Sequence, residues 1–317
     1  MGEGGEAGQH SRRLGRAIDT SWKGCTVCLS AVLRSELPRV AAGIALIGWS
    51  LAGHVSHAAS GPEAAGRVDR LLDASGMAHT VRQILPGMLE GINSPQPEVP
   101  ASVRGAMSDA ATQAFQPGPM MEKVRARMGS ALNDRQIGDT LGWLDSPLGS
   151  RITAAENEAS EPAALGRIEA YAKELEKRPP AKQRVNLIGE LNRATGSGEL
   201  TASMLEAGVL ASALGVNAAQ PAKQRVPGDV LQKQVKASLP HLRRQAEQMV
   251  TLGLHYSYRA FSDKEIESYL NFLKSPSGVA YSKAAVAAFR DAMLDAMGRF
   301  MQAIPKALDK NKGMTGT

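Results

Sequence analysis

The sequence is poor in cysteine. Its only two cysteines, Cys25 and Cys28, stand in the N-terminal region. No second Cys or His pair follows at the spacing that would complete a tetrahedral zinc site, and no strand-and-helix pattern follows as in redox dithiol proteins. The rest of the chain therefore has no disulfides, and its fold depends on an apolar core.

Aromatic residues are also scarce, at 4% of the 317 residues, although 43% of the residues are hydrophobic. Ala, Leu, Met, Gln, Glu, Lys and Arg dominate, and these residues lose little side-chain freedom in a helix. The length and apolar fraction suffice for one to three domains with their own cores. The composition therefore predicts an all-α protein built as a helical bundle.

A strong excess of charge of one sign is missing as well. The chain has 37 Lys and Arg residues against 31 Asp and Glu residues, a formal net charge of +6, and both signs are interspersed. Nucleic-acid-binding proteins usually gather basic residues on one face. The charge pattern therefore argues against nucleic acid as a partner.

The segment between Arg34 and Ser60 has the three-part layout of a secretory signal peptide. Arg34 and Arg39 precede an apolar run from Val40 to Ala52, and a small-residue stretch follows. The run is shorter than the roughly 20 apolar residues of a permanent membrane span. We predict cleavage after Ala58 and export to the periplasm or the outside of a Gram-negative cell, with an uncleaved membrane anchor as the alternative.

The residues before this segment are unusual for a leader, because they are rich in Gly, Glu and Arg. No methionine occurs between Met1 and Met77. We therefore hypothesise that translation begins at an alternative start codon at Val32 or Leu33. Residues 1–58 are interpreted as an N-terminal extension followed by the signal peptide.

An internal repeat is the most informative feature of the remaining chain. Residues 132–149 correspond to residues 261–278 at an offset of 129 positions (261 − 132). Each copy opens with an N-cap residue, Asn133 or Ser262, followed three positions later by Gln or Glu. This spacing predicts a capping box, in which the cap and the third residue each bond the other's backbone N–H group.

Each copy then predicts a corner between two helices. Apolar residues at positions i, i+4 and i+7 indicate a helix with one buried stripe. The helix meets Ser146-Pro147 or Ser275-Pro276, where proline suits the first position of a new helix and serine suits its cap. A glycine in the first turn of the second helix would allow the two helices to approach closely.

A weaker similarity extends the repeat towards the N-terminus. Residues 71–76 resemble residues 191–196, each ending in glycine. We therefore predict two tandem, diverged helical modules, at residues 63–178 and 183–310. The basic, proline-rich segment at 177–180 is the predicted boundary between them.

The repeated pattern resembles the bacterial family catalogued as domain of unknown function 2059, whose usual form is close to F-T-x-x-E-L…F-Y-x-S-P-x-G. The similarity is good in residues 261–278 and fainter in residues 132–149, where Gly142-Trp143-Leu144 replaces the usual aromatic pair. The resemblance implies an exported helical protein of Gram-negative bacteria. It implies no activity.

Residue types that could carry chemistry do not form a recognisable motif. His79, His241 and His255 follow the predicted cleavage site without the i, i+3 or i, i+4 spacing of a helical metal site. No G-x-S-x-G sequence marks a nucleophilic serine, and Ser146 and Ser275 are explained as helix caps. The sequence therefore predicts no catalytic, cofactor-binding or metal-binding residue.

Two further groups have an ordinary structural explanation beside a chemical one. Asp134 with Asp139, or Asp263 with Glu265 and Glu267, could be an acid and base pair, but they stand in the first turns of helices, where they complement the helix dipole. Met293, Met297 and Met301 could bind copper(I), but their apolar neighbours favour core packing. We predict the structural role in both cases.

The leading functional prediction is a non-catalytic interaction or scaffold protein of the cell envelope. A groove between the modules would seat a peptide or partner helix, and Trp143 would be either core or contact. One alternative is an envelope enzyme without a recognisable motif, which a pocket with carboxylates of shifted pKa would favour. Another is a protein that binds a membrane or glycan surface through a basic face: Lys233, Lys236, Arg243 and Arg244.

Overall fold

The structure is a computed structural model that describes residues 62–94, 101–220, 223 and 225–314. These residues form twelve α-helices and no β-strand, so the all-α prediction is confirmed. The helices are α1 Pro62–Ala74, α2 Met77–Asn93, α3 Ala101–Ala114, α4 Pro117–Ala131, α5 Asp134–Leu144, α6 Pro147–Ser160, α7 Ala164–Lys177, α8 Lys182–Thr195, α9 Ser197–Ala219, α10 Gly228–Ser257, α11 Asp263–Lys274 and α12 Pro276–Met314.

The predictions for residues 1–58 lie outside the described residues. They comprise the cysteine pair, the alternative start at Val32 or Leu33, and the signal peptide with its cleavage after Ala58. None of the helices in the described ranges combines the length and the apolar character that crossing a membrane requires.

Both predicted capping boxes are present. In α5, Asn133 Oδ1 accepts a hydrogen bond from Gln136 N at 2.9 Å, and Asn133 N donates to Gln136 Oε1 at 3.0 Å. In α11, Ser262 Oγ accepts from Glu265 N at 3.3 Å, and Ser262 N donates to Glu265 Oε2 at 2.8 Å. Each box satisfies backbone N–H groups that have no partner within the helix.

We expect Ser262→Ala to lower the free energy of unfolding by about 1 kcal/mol, because the first turn of α11 loses its cap. Urea denaturation followed by circular dichroism measures the change. The matched control is Ser268→Ala on the same helix, since the one hydrogen bond of the Ser268 hydroxyl within the described part of the chain goes to the Lys264 carbonyl one turn earlier. Equal losses in both variants would contradict a special role for the cap.

The Ser-Pro corners also form as predicted. Ser146 Oγ accepts a hydrogen bond from Gly149 N at 3.0 Å, and Ser275 Oγ accepts from Gly278 N at 3.1 Å. A Cβ atom added to either glycine would lie closer to the preceding helix's backbone than the 3.4 Å at which ordinary contact begins. The glycines therefore permit the close approach of the two helices at each corner.

The weaker similarity also has a structural counterpart. Gly76 has φ 73° and caps the start of α2, and Gly196 has φ 55° and caps the start of α9. These are the two residues with positive φ in the described part of the chain. Both glycines thus end one helix and begin the next in the left-handed conformation.

Two large buried clusters hold the bundle together. The main core joins both predicted modules, because α12 packs against α3, α4 and α5. Its members include Leu71, Val81, Phe115, Val124, Phe289 and Phe300. The second core lies among α6, α8, α10 and α11 and includes Ile152, Ile188, Leu254, Tyr258 and Leu270. The predicted boundary at residues 177–180 falls between α7 and α8, and the division into modules stays a prediction.

Candidate functional site

An aromatic stack joins the two copies of the repeat. Trp143 and Phe272 stand at equivalent positions, 129 residues apart (272 − 143), and their rings stack with centroids 4.5 Å apart and planes 12° apart. Tyr269 stacks on Trp143 as well, with centroids 4.7 Å apart. Trp143 is half-buried and packs against both cores. It therefore stabilises the junction between α5 and α11.

Two polar contacts beside this junction each connect a helix of one copy of the repeat with a helix of the other copy. Arg151 Nη1 of α6 lies 2.7 Å from Glu265 Oε1 of α11. Ser277 Oγ of α12 donates to Asp139 Oδ2 of α5 at 2.7 Å. The second helix of each copy thus contacts the first helix of the other copy, as in an interface with two-fold symmetry.

A small polar cavity of about 50 Å³ lies beside the junction. Glu156 of α6 and Ala285 of α12, which are equivalent positions (285 − 156 = 129), both line it. The remaining wall is mainly polar: Ser75, Thr80, Asn157, Ser160, Thr195, Tyr269, Tyr281 and Ser282, beside Met77 and Leu273. We call this space the Glu156 cavity, because Glu156 is the one carboxylate among its lining residues.

The environment of Glu156 favours its neutral form. The Tyr258 hydroxyl donates a hydrogen bond to the Glu156 carboxyl, and Tyr269 also bonds it. Burial raises the pKa of Glu156 from 4.5 to about 7, because it disfavours the charged form more than the two tyrosine bonds favour it. Burial and the neighbouring carboxyl also raise the pKa values of both tyrosines well above 10.

Glu158, two positions further along α6, has the cationic partners that Glu156 lacks. Burial alone would raise the pKa of Glu158, but hydrogen bonds from Arg259 and Tyr256 and the charges of Arg259 and Arg167 lower it below its usual value. Arg259 Nη2 lies 3.1 Å from Glu158 Oε1. Glu158 is therefore paired with cations, whereas Glu156 has only hydroxyl partners in the described residues.

A wider groove, of about 390 Å³, opens next to the cavity. The groove and the cavity share Leu273 and Ser282 as lining residues. Ala194, Leu273 and the 37% exposed Val279 form its apolar surface. The cations on its rim are Arg193, Lys274 and Lys283. We call it the α8–α12 groove, since α8, α11 and α12 line it.

The rim cations differ in their pairing. Lys274 Nζ lies 2.6 Å from Glu190 Oε2. Within the described ranges, neither Arg193 nor Lys283 has an oppositely charged side chain within 4.0 Å. The groove therefore combines an apolar floor with positive charge that is available to an anionic ligand.

The carboxylates and histidines that the sequence analysis weighed as catalytic or metal-binding candidates do not lie together in one site. Asp134 pairs with Arg67 at 2.6 Å and Asp263 pairs with Arg184 at 2.7 Å, both at helix N-termini. Burial and the charge of Arg184 lower the pKa of His255. In the described ranges, no three His, Cys, Asp or Glu side chains are close enough to hold a metal ion together.

Two of the three methionines of the stripe lie in or against the core, and the basic residues of α10 lie on the surface. Met293 is buried in the main core and Met297 packs against it, so core packing is confirmed for these two. The four basic residues considered on α10 are all exposed: Lys233, Lys236, Arg243 and Arg244.

The sequence analysis predicted a groove between the two modules, whereas the α8–α12 groove lies wholly within the second predicted module, residues 183–310. Neither this groove nor the cavity was located from the sequence. The one available signal for the cavity is the repeat itself, because Glu156 stands where the other copy has Ala285. A carboxylate in place of a small apolar residue within a repeated helix is a departure from the pattern. The tyrosines that bond it come from segments about 100 residues away, and no local spacing indicates them.

No family model, no curated protein and no solved structure matches this chain. The resemblance to domain of unknown function 2059 accordingly has no support from these comparisons and stays a prediction.

Proposed function

We propose that the protein is a non-catalytic interaction protein of the cell envelope that binds an acidic segment of a partner in the α8–α12 groove. The observation that carries the proposal is the combination of an apolar floor with rim cations, Arg193 and Lys283, that have no ion pair in the described residues. The predicted signal peptide supports the envelope location.

The floor of the groove supplies the attraction that holds a partner. Val279 is 37% exposed, one of three large hydrophobic residues with that degree of exposure in the described ranges. Covering Val279 and Ala194 would remove apolar surface from water, which contributes roughly 25 cal/mol per Å², whereas Leu273 is already 3% exposed. Apolar side chains of the partner are therefore expected to face this floor.

The rim supplies the preference for acidic partners. Three basic residues and one acidic residue, Glu190, surround the floor, so positive charge is in excess. Glu190 pairs with Lys274, and the charge of Arg193 also lowers the pKa of Glu190. Complementary charge accelerates association and excludes partners of the wrong sign more than it adds affinity. An acidic segment is consequently favoured over a basic or neutral one with the same apolar residues.

The enzyme alternative gains one observation, since Glu156 is a carboxyl group with a pKa of about 7 beside a cavity. The cavity measures about 50 Å³, whereas sites for organic ligands usually measure roughly 300–1,000 Å³. Its size suits water-sized molecules, and the groove is the space that suits a larger ligand. The interaction function is therefore better supported than the enzymatic one.

We expect a fluorescein-labelled amphipathic peptide of about 14 residues, with leucine on one face and glutamate on the other, to bind the full protein. Fluorescence anisotropy measures the affinity. Lys283→Glu and Val279→Asp are each expected to weaken binding about tenfold, equivalent to about 1.4 kcal/mol. One variant reverses the rim charge, and the other makes the floor polar.

The matched control is Lys264→Glu, which makes the same charge change at an exposed position near the other end of α11. Its affinity for the peptide should equal that of the wild type. A peptide with lysine in place of glutamate should bind more weakly than the acidic one. Equal binding of both peptides, or full binding by Lys283→Glu and Val279→Asp, would refute the groove assignment.

The basic face of α10 favours the surface-binding alternative, because its four cations are exposed and form no ion pair within the described residues. Anionic phospholipid vesicles provide the comparison in the same assay. Salt-sensitive vesicle binding without peptide binding would replace the groove proposal by this alternative. The envelope location is tested separately, by the mass of the protein from a cell fraction, which should correspond to a chain beginning at Ala59.

A further inference from the structure

We infer that the Glu156 cavity is a binding site for one monovalent metal cation, sodium or potassium, with the Glu156 carboxylate as its anionic ligand. The inference is independent of the α8–α12 groove and of the partner proposed for it. It follows from three features of the cavity: its unbalanced charge, the direction of its hydroxyl groups, and its size.

The first feature is the unbalanced charge. An ionised carboxylate away from bulk water needs a counter-charge or a proton. The titratable groups that face Glu156 are tyrosines: Tyr258 from the turn after α10, Tyr269 from α11 and Tyr281 from α12. From α2 and α8 the cavity receives only neutral side chains, such as Thr80 and Thr195. A bound cation would supply the missing positive charge.

The second feature is the direction of the hydroxyl groups. Three hydroxyls on the wall donate their protons to helix carbonyls: Thr80 to Gly76 O at 3.2 Å, Ser160 to Glu156 O at 2.8 Å, and Thr195 to Leu191 O at 2.8 Å. A hydroxyl oxygen that donates in this way keeps lone pairs for another partner. One lone pair of Thr195 is already used, because its oxygen lies 2.8 Å from Ser197 Oγ. These oxygens and that of Asn157 are the neutral ligands that hard cations accept.

The third feature is the size of the cavity together with its single charge. A volume of about 50 Å³ has room for one ion with a few waters and excludes larger organic cations. Calcium sites usually combine several carboxylates, and the lining of this cavity contains one. One negative charge is balanced by one positive charge, which is why we assign a monovalent ion.

Protons compete with the cation for the same carboxylate. A proton on the carboxyl group and a bound cation therefore exclude each other.

The experiment compares the thermal unfolding midpoint of the full protein in sodium, potassium and N-methyl-D-glucamine chloride at equal ionic strength. Since the large organic cation cannot enter the cavity, it controls for general salt effects. At pH 8.5 we expect sodium or potassium to raise the midpoint by at least about 3 °C relative to N-methyl-D-glucamine.

Two variants test whether the effect of the cation depends on Glu156 and not on another carboxylate. Glu156→Gln should lose the cation-dependent rise, and Glu158→Gln, two positions along the same helix, should keep it. The ²³Na NMR line width of the wild type, measured with and without competing potassium, reports binding without any variant. Equal midpoints in all three salts at pH 8.5, an unchanged rise in Glu156→Gln, or no sodium line broadening together with no potassium effect would overturn the inference.

Discussion

Glu156→Gln is expected to raise the free energy of unfolding at pH 8 by up to about 3 kcal/mol, because it removes a partly buried carboxylate without a cationic side chain beside it. The pKa of Glu156 is raised from 4.5 to about 7 in the folded state. Its contribution to stability is therefore fully present below pH 4.5 and is lost as the pH rises through 7. At pH 4.5 the wild type and the variant should unfold at similar urea concentrations.

The measurement is a series of urea denaturations between pH 4.5 and 8, in buffers whose cation is N-methyl-D-glucamine so that no small metal ion stabilises the carboxylate. The difference in unfolding free energy between wild type and Glu156→Gln at each pH reports the titration of Glu156 alone, because all other titratable groups are common to both proteins. Glu265 has the opposite effect, since bonds from Ser262 and Arg151 lower its pKa to about 2 and its contribution is lost as the pH falls. A difference that does not change with pH would contradict the assignment.

Gly278→Ala is expected to destabilise the protein by about 2–4 kcal/mol, because the corner between α11 and α12 has no space for a side chain. The new Cβ atom would collide with the carbonyl oxygen of Phe272 and crowd the Cα atom of Leu273. Backbone atoms cannot rotate away as a flexible side chain can, so the two helices would have to separate. Thermal or urea unfolding measures the loss.

The matched control is Gly298→Ala in the same helix. Apart from its chain neighbours and the backbone of its own helix turns, no described atom lies within 4 Å of the position that its Cβ would occupy. Alanine is also a better helix former than glycine by roughly 0.5–1 kcal/mol. Gly298→Ala should therefore stabilise the protein slightly. If Gly278→Ala were also neutral or stabilising, the close approach at the corner would not be a constraint on this fold.

Gly149→Ala extends the same argument to the other copy of the repeat. Its Cβ atom would meet the carbonyl oxygen of Trp143 and the backbone of Leu144, at positions equivalent to Phe272 and Leu273. The Ser-Pro-x-Gly sequence is thus explained by local geometry at both corners. Its recurrence reflects a structural need and carries no information about a ligand.

The helices and their ends were predictable from the sequence because the interactions that produce them are local. A capping box joins residues three positions apart, and an apolar stripe recurs every three or four residues. Asn133 and Ser262 therefore indicated the starts of α5 and α11 before any tertiary contact was known. The same holds for the two corners, where serine, proline and glycine act within four residues.

The packing of α12 could not be predicted in the same way. Its amphipathic pattern indicated a buried stripe without indicating which helices cover it. The structure places Phe289 and Phe300 in a core with Phe115 and Val124 of the first predicted module. Many helix pairings satisfy one apolar stripe, and the choice among them depends on the shapes of all the helices together.

The sequence by itself determined an all-α chain, the places where its helices begin and turn, and the correspondence between two of its corners. Only the tertiary structure decided that Glu156 meets Tyr258 and Tyr269 beside a cavity whose lining residues include no basic side chain, and that Arg193 and Lys283 border one apolar groove. The physical reason is the range of the interactions. Helix caps and turns are decided within a few residues, whereas the pKa of a carboxyl group depends on everything that folding brings around it.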